Sequence, residues 1–162
     1  MGSESATITT HPVGLEALDA LPALDALCVF VAENERPLVG AAGFVDWRLC
    51  GGLSRLLKSS FFAGEAGDSL LVATEGVLPV PRVFAVGMGR GGPLTRERLD
   101  ALLGQAAEIL RRAGMREVGL ELPYGATSEP EARAEAVRRA SVPPFAGRRV
   151  ALLEPGASGG GS

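Results

Sequence analysis

The chain has 162 residues, of which 46% are hydrophobic and 22% charged, so it is long and apolar enough for one domain with its own core. Aromatic residues make up only 5%, which means that Leu, Val and Ala must build most of that core. A net charge of −3 is too small to indicate a nucleic-acid-binding protein, and two cysteines are too few for a disulfide framework.

Targeting and membrane signals are missing from the printed sequence. No apolar run reaches the roughly 18 residues needed to cross a bilayer. The first ten residues lack the basic region and apolar stretch of a secretory signal peptide. The sequence therefore predicts a cytoplasmic protein without membrane contact.

The first third of the chain predicts strands and helices behind a loose leader at residues 1–5. β-Branched residues alternate through Ala6–Thr10 and predict a strand. The segment Leu15–Leu21 fits either a short strand or a helical turn. The continuous apolar run Leu27–Ala32 is typical of a strand buried on both faces. Leucines at helical spacing then predict one helix over residues 39–59.

The middle of the chain predicts two strands, a long helix and a third strand. Ser69–Thr74 and Arg82–Met88 are the two strands, and a turn rich in glycine and proline joins them. Thr95 is the predicted N-cap of an amphipathic helix that ends near Ala113. Glu117–Leu122 predicts the next strand.

The last part of the chain predicts one more helix and one more strand. Pro130 begins an alanine- and arginine-rich helix that ends near Ala140, and Arg148–Leu153 predicts the final strand. Residues 155–162 form a flexible Gly/Ser tail, so the domain should occupy residues 6–154. The alternation of strands and helices predicts a single α/β domain with a mixed, mostly parallel sheet covered by helices on both faces.

Three stretches in fixed order carry a family resemblance. They are Asp46–Leu57, Phe62–Leu71 and Arg82–Gly89, the last followed by Leu94, Thr95 and the long helix. Together they resemble the N-terminal domain of the leucyl aminopeptidase family, peptidase family M17. The resemblance implies a macro-domain-like fold, and a domain that lies on the outside of the hexameric enzymes and helps their subunits to associate.

The catalytic half of that family has no counterpart in the printed sequence. Its metal-binding strings read like Asn-Thr-Asp-Ala-Glu-Gly-Arg and Lys-Gly-Ile-Thr-Phe-Asp-Ser-Gly-Gly, and neither occurs here. The resemblance therefore implies no catalytic residue, no metal and no cofactor. The first expectation is a non-catalytic pseudoenzyme that serves as a protein-interaction or assembly module. An alternative is a detached part of a split or truncated metallo-aminopeptidase.

A glycine loop between a strand and a helix is the candidate ligand site. Gly87, Gly89 and Gly92 satisfy G-x-G-x-x-G, and Arg90 adds a positive charge beside Gly91. Such a loop either forms a tight turn or aims its N–H groups at a phosphate. The proline that follows removes one donor and favours the turn. A nucleotide or ADP-ribose-like ligand is the alternative function that this loop would support.

Weaker candidates lie elsewhere in the chain. The stretch from Asn34 to Gly43 resembles the ligand loop of ADP-ribose-binding macro domains, although its glycine run is broken. His11 is the only histidine and has no second ligand at metal-binding spacing. Arginines in the second half alternate with glutamates, which favours a solvated, ion-paired face over a nucleic-acid-binding one.

Two aromatic residues mark a candidate interface. Five apolar residues of the predicted helix 39–59 share one arc of a helical wheel and are enough to pack it on the sheet: Val45, Leu49, Leu53, Leu56 and Leu57. Phe44 and Trp47 lie to the side of that arc and need separate cover. Neighbouring loops are one source, and a second subunit is the other. We expect the second source, and therefore self-association or a protein partner.

Overall fold

Six strands and five helices make up the described part of the chain. The computed structural model describes residues 5–123, 125–126, 129–141 and 144–155. The strands are β1 Thr7–Val13, β2 Ala26–Val31, β3 Ser69–Ala73, β4 Arg82–Gly87, β5 Val118–Glu121 and β6 Arg149–Pro155. The helices are α1 Leu15–Asp19, α2 Gly40–Arg48, α3 Gly52–Lys58, α4 Arg96–Arg112 and α5 Pro130–Ser141.

The strands form one mixed sheet in the order β1-β6-β5-β2-β4-β3. All neighbouring pairs are parallel except β3 with β4, which is antiparallel. In the centre, Leu27 lies opposite Val83 and Phe30 opposite Val86. Parallel strands place their carboxyl ends at one edge, so the loops after β2, β4 and β5 meet there. The predicted α/β class and the mostly parallel sheet are confirmed.

Two apolar layers cover the sheet. One core cluster joins Phe84 and Val86 of β4 to the buried faces of α4 and α5. The other joins Val83 and Ala85 of the same strand to α1, α2 and α3. Because side chains alternate along a strand, consecutive β4 residues supply opposite layers. All six residues of β2 are buried, as the continuous apolar run predicted.

The predicted helix over residues 39–59 is wrong as one element. The chain forms α2 and α3 instead, with a turn at residues 49–51. Cys50 has φ 53° and Gly51 has φ 81°, and left-handed residues interrupt a right-handed helix. Asp46 on α2 caps the second helix by accepting hydrogen bonds from the Ser54 amide, at 3.0 Å, and from the Ser54 hydroxyl.

Other predicted elements agree more closely with the structure. Leu15–Asp19 forms a short helix, which decides between the two alternatives left open for that segment. The Thr95 hydroxyl accepts a hydrogen bond from the Arg98 amide and caps α4 as predicted. Pro155 belongs to β6, so the last strand includes the first residue of the predicted tail. Residues 1–4 and 156–162 lie outside the described residues. Within the described residues, no helix is both long and apolar enough to span a bilayer.

Candidate functional site

Trp47 stands on the outer face of α2. It is 70% exposed, whereas Ala41, Ala42 and Val45 of the same helix are buried against the sheet. Phe44 is partly buried and packs against the core cluster under α2. The two aromatics therefore differ: the protein covers much of Phe44 and leaves Trp47 to solvent. Their role as an interface stays a prediction.

Trp47 lines two open grooves on the surface of the protein. Their volumes are about 720 Å³ and about 400 Å³. Leu38, Gly43 and Trp47 line both grooves, and Phe44 lines the smaller one. We call Leu38, Phe44, Trp47 and these grooves the Trp47 surface. An exposed indole beside mainly apolar grooves is a feature that many interface anchors share.

The helix that carries Trp47 is held from several sides. The Arg48 guanidinium forms an ion pair and two hydrogen bonds with the Asp19 carboxylate, which joins the end of α2 to α1. Asp46 joins α2 to α3 as described above. At the other end, the Glu121 carboxylate accepts a 3.0 Å hydrogen bond from the Ala41 amide. The Trp47 surface is therefore built on a fixed support, and a fixed surface loses less entropy on binding than a mobile one.

Glu121 is a site residue that the sequence reasoning missed. It ends β5 and lies against the N-terminus of α2, where a carboxylate is favoured by the helix dipole. Burial raises the pKa of the Glu121 carboxyl from 4.5 to about 7, although the Ala41 hydrogen bond and the charge of Arg133 lower it. Glu35 raises it further by repulsion. A single acid in the apolar string from Val118 to Leu122 was the available signal.

The glycine loop at the end of β4 uses its amides inside the protein. One of its donors binds a side chain, since the Gly91 amide donates to Asn34 Oδ1 at 2.8 Å. Three further amides donate to backbone carbonyl oxygens: Gly87 to Asp68 at 2.8 Å, Met88 to Val31 at 3.0 Å and Gly89 to Gly64 at 2.9 Å. Asn34, singled out as part of a ligand loop, thus has a structural contact. This geometry supports the tight-turn interpretation, and anion binding stays a prediction.

Close approach of two chain segments explains the first glycine of this loop. A Cβ at Gly87 would lie 2.1 Å from the Glu65 carbonyl oxygen, so only glycine fits. Gly89 and Gly92 have φ of 74° and 145°. The Arg98 guanidinium closes the loop from α4 by donating to the carbonyl oxygens of Met88 at 2.6 Å and Arg90 at 2.8 Å. Gly87 is therefore needed where two chain segments cross closely, and Gly89 and Gly92 are needed for the turn that follows.

The remaining candidates have local partners. His11 Nε2 lies 3.0 Å from the Thr9 hydroxyl on β1. Among the described residues, no group of three His, Cys, Asp or Glu side chains is placed to hold a metal ion. Most arginines of the second half form ion pairs with acidic neighbours, as their alternation predicted. These pairs join Arg96 and Arg139 to Asp100, Arg111 and Arg112 to Glu108, Arg133 to Glu154, Arg138 to Glu135 and Arg149 to Glu117.

Comparison with known proteins identifies a family and relatives that this chain matches over part of their length. The profile described as "Cytosol aminopeptidase family, N-terminal domain" matches residues 27–142. A probable cytosol aminopeptidase of Geobacter sp. (strain M21) is 38% identical over 110 residues, which are 68% of this chain and 22% of that protein. One from Pseudomonas syringae pv. tomato is 32% identical over 55% of this chain and 18% of its own length. The chain thus spans about a fifth of these relatives.

Solved structures show the same fold at low sequence identity. A tomato leucine aminopeptidase mutant matches with a TM-score of 0.65 and 18% identity, over 96% of this chain and 34% of its own. The macrodomain of Thermus aquaticus DarG matches with a TM-score of 0.67 and 15% identity, over 93% and 99%. A Trypanosoma brucei macrodomain in complex with ADP-ribose matches with 0.61 and 16%, over 90% and 63%. The macro-domain-like fold is therefore confirmed.

Replacing the first loop glycine tests the backbone crossing. Gly87→Ala should lower the free energy of unfolding by at least about 2 kcal/mol, because the new methyl group displaces the Glu65 carbonyl. Gly104→Ala is the matched control, since its Cβ meets nothing within 4 Å in α4, and alanine there should stabilise by about 1 kcal/mol. Urea unfolding measures both variants. Equal stability of the two variants would contradict the close approach of Gly87 to the Glu65 carbonyl.

The buried carboxyl of Glu121 should make the free energy of unfolding depend on pH. Between pH 4.5 and about 7 the folded protein keeps a proton that the unfolded chain releases, so the free energy of unfolding should fall as pH rises. The loss reaches at most about 3 kcal/mol above pH 7. Glu121→Gln should flatten this slope and stabilise the protein at pH 8, because an amide oxygen still accepts from the Ala41 amide. Urea unfolding from pH 5 to 8 tests this, with the exposed Glu16→Gln as control. An unchanged slope in Glu121→Gln would refute it.

Proposed function

The chain belongs to the cytosol aminopeptidase family through its N-terminal domain, and from this premise we propose that it acts by protein association and not by peptide hydrolysis. The proposed partner is a second copy of the chain, bound through the Trp47 surface. We also propose that it works in the cytoplasm, the compartment after which its relatives are named.

The exposure of Trp47 is the observation that carries this proposal. An indole that is 70% exposed leaves a large apolar area in water, and tryptophan is among the residues that contribute most to interfaces. The helix beneath it is fixed by Asp19, Ser54 and Glu121, so little ordering accompanies binding.

Self-complementarity favours a second copy as the occupant. In a two-fold contact, the same surface supplies both sides. The Trp47 surface has a projection, the indole, and beside it two grooves lined by Leu38 and Gly43. Each indole can fill a groove of the other copy. A separate chain that carries the rest of a metallo-aminopeptidase is the competing occupant.

A nucleotide or ADP-ribose-like ligand is the second candidate function. The likeness of the fold to a macrodomain in complex with ADP-ribose favours it. The hydrogen bonds at the carboxyl edge of the sheet argue against such a ligand. The Ala41 amide at the N-terminus of α2 already donates to Glu121, and the Gly89 and Gly91 amides already donate to acceptors within the protein. A phosphate at this edge would have to displace the protein's own acceptors.

Removing the indole tests the leading proposal. Trp47→Ala should weaken the dimer by about 2 kcal/mol, roughly thirty-fold in dissociation constant, since the anchor of the contact is lost. Its unfolding free energy should stay close to that of the parent, because Trp47 is exposed. Sedimentation equilibrium over a broad concentration range measures the association.

Phe61→Ala is the matched control, since Phe61 is 74% exposed but does not line either groove. It should dimerise like the parent. A parent protein that stays monomeric at high concentration would defeat the proposal. So would a Trp47→Ala variant that loses its fold, because the indole would then be part of the core.

Titration with ADP-ribose separates the two candidate functions. We expect no heat of binding and no thermal shift at millimolar ADP-ribose, because the candidate donors are occupied within the protein. Saturable binding that Gly89→Val abolishes would reverse our preference, since a branched side chain at φ 74° blocks close approach of a ligand to the loop. Binding that survives this change would place the ligand away from the loop.

A further inference from the structure

Strand β3 leaves one side of its backbone unpaired at the end of the sheet. Among the strands of the described residues, it pairs with β4 alone. Just beyond its ends, the Gly87 amide donates to the Asp68 carbonyl and the Thr74 amide donates to the Pro81 carbonyl. Even-numbered residues therefore point their N–H and C=O groups toward β4. By alternation, the N–H and C=O groups of Ser69, Leu71 and Ala73 point to the open edge.

The composition of β3 does not prevent another strand from pairing with its open edge. Natural edge strands usually carry a charge, a proline or a bulge that prevents pairing with another chain. β3 reads Ser-Leu-Leu-Val-Ala, without charge or proline, and its five residues pair with β4 in unbroken register. Its central residue, Leu71, is 55% exposed.

The exposed leucine continues an apolar row of the core. Leu71 lies opposite Phe84, which is 5% exposed and belongs to the cluster beneath α4 and α5. Leu70 and Val72 point the other way and pack against the cluster under α2 and α3. The α4–α5 layer therefore covers Phe84 and stops short of Leu71.

We propose that β3 pairs antiparallel with β3 of a second copy, with Leu71 on the two-fold axis. In this register Ser69 lies opposite Ala73 and Leu70 opposite Val72 of the other copy. The outward N–H and C=O groups of residues 69, 71 and 73 then bond in pairs across the axis. The row Phe84–Leu71 continues through the partner's Leu71 to the partner's Phe84.

The pairing suits a second copy because the strand is complementary to itself. Small side chains flank the central leucine on its face, which leaves room for two leucines to touch. No charged residue of β3 meets a like charge, since the strand has none. Five residues bury less than the roughly 1,200 Å² of a standard interface, so the contact should be weak and dependent on concentration. It goes beyond the Trp47 surface, which lies on α2.

A disulfide on the two-fold axis tests both the pairing and its register. Directly opposed, hydrogen-bonded residues have Cα atoms about 5.5 Å apart, within disulfide range. Leu71→Cys in a Cys50→Ser background should therefore form a covalent dimer on mild oxidation, because the remaining Cys28 is buried. Ser69→Cys in the same background is the matched control, since the two copies of that position are roughly 15 Å apart. We expect cross-linking to be at least about ten-fold faster for Leu71→Cys.

A double variant and a charge variant complete the test. Ser69→Cys with Ala73→Cys should restore cross-linking, because those positions face each other. Leu71→Lys should reduce association at high concentration, whereas Val77→Lys, at an exposed position after the strand, should not. Equal cross-linking of Leu71→Cys and Ser69→Cys, or none in either, would overturn the proposal. The Trp47→Ala change should leave the Leu71→Cys cross-link intact, and its loss there would assign the contact to the Trp47 surface instead.

Discussion

The complete burial of β2 is the constraint from which the rest of the structure follows. All six of its residues are buried, so the chain has to supply an apolar layer on each face of the sheet. Helices α1, α2 and α3 cover one face of the sheet, and α4 and α5 cover the other. Each helix needs only one apolar stripe to pack on the sheet, so Trp47, outside the stripe of α2, stays at the surface. Leu71 of β3 stays exposed because α4 and α5 do not reach it.

The carboxyl edge of the sheet is the edge at which open α/β sheets generally bind ligands. Among the described residues, several polar groups at this edge bind one another. Glu121 binds the Ala41 amide at the start of α2, Asn34 binds the Gly91 amide, and Arg98 closes the glycine loop. A carboxylate at a helix N-terminus satisfies the helix but keeps a raised pKa because it is poorly solvated. The fold is thus shared with macrodomains, while these internal contacts count against a phosphate ligand at this edge.

Periodicity and composition predicted the elements and the α/β class because burial of strands and helices leaves a repeating pattern in the sequence. Thr95 was identifiable as a cap because its role is local. The break between α2 and α3 was missed, since the leucine spacing continues through it and the left-handed turn at Cys50 and Gly51 is a backbone property. Glu121 was missed because its partner, Ala41, is 80 residues away. The contrast between a covered Phe44 and an exposed Trp47 likewise depends on neighbours that the sequence alone does not place.

Trp47 is the only tryptophan of the chain, so its fluorescence reports directly on the Trp47 surface. The most direct measurement is acrylamide quenching of this emission as the protein concentration is raised. If a second copy covers Trp47, quenching should be strong in dilute solution, and weaker with emission at shorter wavelength as copies associate. Quenching that is equally strong at every concentration would show that no second copy covers Trp47. Equally weak quenching in samples that sedimentation shows to be monomeric would mean that the indole is already buried within one chain. Either result would contradict association through Trp47.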